Sequence, residues 1–305
     1  MRIVYLGSGD IGLPVLRTLL GDPRVELAGV VTQPDRPAGR GLQVRPAAIK
    51  ELASQNGVPV LQPPRVRDGQ AIAAISALRP DLFVVMAYGQ ILPQTLLDLP
   101  PLGALNLHAS LLPRHRGAAP VHAAILAGDD TSGITVMWMD AGLDTGDILL
   151  EKTCPIGPAE TAGSLHDKLA SLAPAALSEA LDLLRAGRAP RKKQDPTLAT
   201  YAPKLTRALG AIDWSRSAAD LARSVRGLHP WPGSTAALEM ADGRRVLVKI
   251  HRAAAADLPA DPAHLRFACA GGGVLELLEV QVPGGRRVSG EEFARGHRVT
   301  RVVTG

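Results

Sequence analysis

Through the first two thirds of the chain, apolar positions follow two rhythms. Short unbroken apolar runs, such as Ile3-Val4-Tyr5-Leu6 and Leu82-Phe83-Val84-Val85-Met86, alternate with stretches of helical spacing. Strands are predicted at residues 2–7, 25–31, 58–61, 81–86, 106–108, 135–139 and 148–152. Helices are predicted through Leu20, at 47–55, 71–78 and 121–127, and over a long Ala/Leu stretch, 163–187. Pro120 stands at the start of the fourth helix and Gly128 at its stop. Such alternation predicts an α/β fold, a Rossmann-like, mainly parallel sheet with helices on both faces. Residues 33–46, rich in Pro, Gly and Arg, are expected to be a long mobile loop.

The rhythm changes near residue 188. Residues 189–204 read as a basic, Pro-containing linker. A helix at 218–227 is followed by short β-like runs at 235–240, 245–252, 264–269, 274–280 and 298–303, parted by Gly-rich turns. That spacing predicts a small C-terminal β-barrel of OB-like type. The expected domains are therefore 1–188 and 205–305, joined by the linker.

Composition adds little except in its distribution. Of 305 residues, 46% are apolar and 21% charged, which suits folded domains. The two cysteines, Cys154 and Cys269, cannot build a disulfide framework, and no Cys/His cluster has zinc spacing. No metal is expected. The chain starts directly on a strand and holds no apolar run of bilayer length, so no membrane partner and a cytoplasmic, monomeric protein are expected. Residues 204–305 carry 15 Lys/Arg and 10 Asp/Glu and so hold the whole net charge of +5. A polyanionic partner would be drawn there.

Two motifs compete for the chemistry. Gly7-x-Gly9-x-x-Gly12, between a strand and a helix, fits a dinucleotide fingerprint. The acidic residue that should close the second strand is missing, for Val31 leads into Thr32-Gln33-Pro34. A tight strand-to-helix turn without NAD is the preferred reading. The other motif is Asn106-Leu107-His108, with Asp144 downstream in Gly-Leu-Asp-Thr-Gly-Asp. Residues two apart on a strand share a face, so Asn106 and His108 would point together at a carboxyl edge, where open α/β sheets bind ligands.

At these residues the chain resembles the folate-dependent formyltransferases. The resemblance rests on Asn106-Leu107-His108-Ala109-Ser110-Leu111-Leu112-Pro113, Arg116-Gly117-Ala118-Ala119-Pro120 and Leu143-Asp144-Thr145-Gly146-Asp147. Val31 to Gly41, Ala87 to Pro93, Ala202 to Leu205, Ile212 to Trp214 and His229 to Gly233 extend it over nearly the whole length. The Arg-containing loop and the appended domain are similar to the branch acting on methionyl-tRNA. In departure from the family pattern, Leu42 and Gln43 stand where lysines are usual, and Ala208 where an acidic residue is.

The resemblance implies a formyltransferase fold and transfer of formyl from 10-formyltetrahydrofolate to the α-amine of methionyl-initiator tRNA. It implies Asn106, His108 and Asp144 as the catalytic set, with Gln90, Ile91, Leu92, Ser110, Leu111, Leu112 and Pro113 at the folate. Arg40, Lys204 and Arg207 would meet the tRNA. A small-amine acceptor, or water, would use the same three polar residues. The basic C-terminal domain argues against glycinamide ribonucleotide as that acceptor.

Overall fold

The computed structural model describes residues 1–38 and 43–303, with 36–38 and 43–45 described by their backbone. The chain divides into two compact units. The first comprises Met1–Pro120, Thr131–Pro155 and His166–Ala202; the second comprises Val121–Asp130, Ile156–Leu165 and Pro203–Gly305.

The first unit is built on a seven-stranded sheet. In chain order its strands are β1 (Arg2–Gly7), β2 (Glu26–Val31), β3 (Arg36–Ala38), β4 (Gln43–Arg45), β5 (Val60–Leu61), β6 (Leu82–Met86), β7 (Ala104–His108), β8 (Arg116–Gly117), β9 (Thr131–Trp138), β10 (Ile148–Pro155) and β11 (Tyr201–Ala202). The main sheet runs β5-β2-β1-β6-β7-β9-β10. Its first five strands are parallel; β9 and β10 are antiparallel to their neighbours. The unbroken apolar runs of β1 and β6 lie in the middle and are buried almost throughout, as parallel strands covered on both faces require. The outer half of β10 alternates between exposed and half-buried residues, the signature of an edge.

The glycine-rich turn after β1 serves packing. A Cβ at Gly7 or Gly12 would collide with the Tyr5 side chain, whose hydroxyl donates to the Gly12 carbonyl at 3.2 Å. The Ser8 and Gly9 N–H groups both donate to the Ala87 carbonyl at 3.2 Å. Amides that would cradle a pyrophosphate are thus committed to the next loop, in keeping with the tight-turn reading.

Two expectations are corrected. Residues 33–46 are more than a loop, because β3 and β4 pair as an antiparallel ribbon, Arg36 opposite Arg45. Its base is fixed, for Asp35 pairs with Lys50 at 2.5 Å and accepts from Gln62 at 2.8 Å, while Gln33 Nε2 donates to the Tyr88 carbonyl at 2.9 Å. Three-residue strands are too short to leave a period in the sequence. Nor is 189–204 a free linker. Lys192 and Ile148 exchange main-chain hydrogen bonds at 2.8 and 3.0 Å. Trp138 Nε1 donates to the Pro190 carbonyl at 2.9 Å, and the Arg191 guanidinium lies 3.9 Å over the Trp138 ring. Further on, β11 pairs in parallel with β8.

The second unit carries a curled, barrel-like antiparallel sheet of β12 (Ser234–Met240), β13 (Arg245–Ala256), β14 (Arg266–Ala268), β15 (Val274–Gln281), β16 (Arg287–Ser289) and β17 (Val299–Val302). Burial alternates strictly along β12, with Ala236, Leu238 and Met240 turned inward. The helix Ala218–Gly227 covers this core with Leu221 and Val225, and its N-cap Ser217 accepts from the Asp220 N–H at 3.1 Å. Among the described residues no helix is long and apolar enough to cross a membrane.

Candidate active site

The site forms where β7 ends at the carboxyl edge of the first unit's sheet. Alternation along β7 turns Asn106 and His108 to one side, with Leu107 buried on the other. Asp144 reaches them from the loop between β9 and β10, where its φ of 54° lies in the left-handed region. Asn106 Nδ2 donates to Asp144 Oδ1 at 3.4 Å, and His108 Nδ1 lies 3.6 Å from Asp144 Oδ2. The His108 and Asp144 side chains are only 6% and 13% exposed. Amide, imidazole and carboxylate therefore converge.

Neighbouring main chain completes the arrangement. Asp144 Oδ2 accepts the Gly117 N–H at 2.8 Å, a charge-assisted bond. The 2.9 Å contact of His108 Nε2 with the His115 carbonyl oxygen makes Nε2 the donor nitrogen and turns Nδ1 toward Asp144. His115, at φ 59°, is itself held through its N–H, which donates to Thr200 Oγ1 at 2.8 Å. Arg116 is buried and donates from Nε and Nη2 to Gln194 Oε1 at 3.1 and 2.7 Å. Sequence reasoning passed over Thr200 and Gln194. Both lie in the stretch read as linker, and no local pattern marks them.

The residues expected at a folate divide by environment. Ile91 is 81% exposed, whereas Leu92 and Leu112 are buried among apolar neighbours. Gln90 uses its amide to hold the preceding loop, accepting from the Val66 N–H at 2.8 Å and donating to the Pro63 carbonyl at 3.3 Å. Ser110 is fully buried; its hydroxyl donates to the Arg114 carbonyl at 2.8 Å and its carbonyl accepts from Thr135 Oγ1 at 2.7 Å. Leu111 packs over Gly133, and the Leu112–Pro113 peptide is cis. The segment is apolar through its leucines, and the side-chain polar groups of Gln90 and Ser110 are engaged with the main chain. Of the residues expected at a tRNA, Lys204 and Arg207 are exposed, and Arg40 lies outside the described residues. Among the described residues no group of three or more His, Cys, Asp or Glu is placed to hold a metal ion.

Comparison with known proteins places this geometry in a family. Residues 1–181 match the family described as Formyl transferase, and residues 204–298 match the Formyl transferase C-terminal domain. The methionyl-tRNA formyltransferase of Geotalea daltonii is 45% identical over 307 residues, spanning 98% of this chain and 96% of that one. Its counterpart in Pseudomonas paraeruginosa is 46% identical over 301 residues, with the same coverage. Among solved structures, WlaRD, a sugar 3N-formyl transferase, superposes with a TM-score of 0.67 at 14% identity, over 94% of this chain and 99% of its own, a likeness of fold. Glycinamide ribonucleotide transformylase 1 from Symbiobacterium toebii, at 25% identity and a TM-score of 0.53, covers 64% of this chain and 94% of its own. With both domains matched, and close relatives aligned almost end to end, this chain belongs to the methionyl-tRNA formyltransferase family.

Proposed function

We propose that this protein transfers the formyl group of 10-formyltetrahydrofolate to the α-amine of methionyl-initiator tRNA, in the cytoplasm, for translation initiation. The observation that carries the reading is the convergence of Asn106, His108 and Asp144 at one sheet edge, in a chain related over its whole length to enzymes of that name.

The neutral amine attacks the formyl carbon, forming the new C–N bond and an oxyanion. Asn106 has one amide hydrogen on Asp144 and a second to donate to that oxygen. One such donor is worth roughly 3–4 kcal/mol. The oxyanion then collapses, the bond from carbon to N10 breaks, and the proton lost by the amine ends on N10. His108 Nδ1 and Asp144 carry that proton, since Nε2 is held by the His115 carbonyl. The Gly117 N–H keeps the carboxylate aimed through the cycle.

Folate lies along residues 90–92 and 110–113, with backbone groups reading the ring and Ile91, Leu111 and Pro113 lining it. The tRNA is held through phosphate contacts by Arg40, by Lys204 and Arg207, and by the other basic residues of 204–305. The test is a formyl-transfer assay with charged initiator tRNA and 10-formyltetrahydrofolate, with glycinamide ribonucleotide as control acceptor. Transfer to methionyl-tRNA alone is expected; transfer only to the ribonucleotide, or to water, would reject the reading.

A further inference from the structure

In the run from Arg191 to Leu198, Gln194 alone is not exposed to solvent. Its side-chain amide uses its full hydrogen-bonding capacity. Oε1 accepts twice from the buried Arg116 guanidinium, at 3.1 and 2.7 Å. Nε2 donates to the Asp144 carbonyl at 2.9 Å and the Gly146 carbonyl at 2.8 Å. The amide can stand only one way round, because a flip would set its NH2 against the guanidinium and its oxygen against two carbonyls. The cation on one side strengthens the donors on the other by polarisation.

The contact closes a ring. Arg116 reaches the Asp144 main chain through Gln194, and the adjacent Gly117 N–H reaches the Asp144 carboxylate directly. Asp144 is the non-glycine residue of this ring whose φ is in the left-handed region, at 54°, a conformation that costs such a residue energy. Two hydrogen bonds to its own and a nearby carbonyl offset that cost and fix where its side chain leaves the backbone. That direction sets the carboxylate 3.4 Å from Asn106 Nδ2 and 3.6 Å from His108 Nδ1.

We infer that Gln194 is a positioning residue for formyl transfer: with Arg116 it holds the Asp144 loop so that the carboxylate faces Asn106 and His108. It touches no reacting atom and acts through Asp144.

The test is a double-mutant cycle on kcat, using the full chain, charged initiator tRNA and 10-formyltetrahydrofolate. Gln194→Met keeps the side chain's length and removes all four hydrogen bonds. Alone it is expected to lower kcat by about 10²-fold, with both KM values within about threefold. In an Asp144→Ala background it is expected to add less than about twofold, because the group it aims is already gone. Gln194→Glu keeps the Arg116 contact but turns an acceptor toward the two carbonyls; the same cycle run with it is decisive where the Met variant does not fold. Losses that multiply in the double variant, or that fall on KM alone, would overturn the inference. It rests on the proposed formyl transfer, which wild-type turnover in the same assay tests separately.

Discussion

The main-chain N–H of Gly117 donates to Asp144 Oδ2 at 2.8 Å, and no larger residue can stand in its place. Gly117 has φ 120°, and a Cβ there would lie 2.6 Å from the Ala202 carbonyl oxygen. Gly117→Ala is expected to push β8 from β11, pull the N–H off the carboxylate and lower kcat by about 10²-fold. Steady-state kinetics beside a thermal melt checks this; an unchanged kcat would show that the carboxylate keeps its aim without this donor.

His108→Ala and Asp144→Ala are each expected to cut turnover by at least ~10²-fold while the fold persists. Circular dichroism establishes the fold and single-turnover formylation the rate. A near-wild-type rate in either variant takes that residue out of the mechanism.

Lys204 and Arg207 are exposed near the start of the second unit's last segment, Pro203–Gly305. As phosphate contacts, each released counterion steepens the salt dependence of binding. Lys204→Ala with Arg207→Ala is expected to weaken methionyl-tRNA binding and reduce the log–log salt slope by roughly 2, leaving the KM for the formyl donor unchanged. Titrations at several salt concentrations read the slope, and an unaltered slope would remove both residues from the interface.

His229 and His251 in the second unit lie with ring centroids 6.0 Å apart. Burial chiefly pushes both below the ordinary imidazole value of 6.5. Repulsion from His251 adds to this at His229, and Arg287 and Lys249 add to it at both. Glu279 acts the other way on both, and the hydrogen bond from His251 to Gln281 opposes the shift at His251. A ring neutral when folded but charged when unfolded gives the unfolded state more protons, so stability rises with pH. The melting temperature is expected to be level above about pH 7.5 and to fall as pH drops through 6.5 toward 5. His251→Gln is expected to flatten that fall; an equally steep profile in the variant would assign the effect elsewhere.

Much of this was legible because strong physical signals are local. The apolar runs of β1 and β6 point to a buried parallel sheet, and period-two alternation in β7 places Asn106 beside His108. The strands β3 and β4 and the pairing of β8 with β11 are not legible, because each is two or three residues long, too short to show a period, and held by main-chain bonds. Gln194 was invisible for a related reason. Its neighbours in sequence are solvated, and its partners Arg116 and Asp144 lie 78 and 50 residues away.

The docking of Tyr201–Ala202 along Arg116–Gly117 bears on any attempt to retarget the enzyme. A chimera joined at residue 188, where the composition changes, would discard Gln194, the Thr200 that holds His115 and the strand that pairs with Arg116 and Gly117. A seam placed after Ala202 carries those supports across intact, so an acceptor-recognition module from another enzyme has to be spliced there.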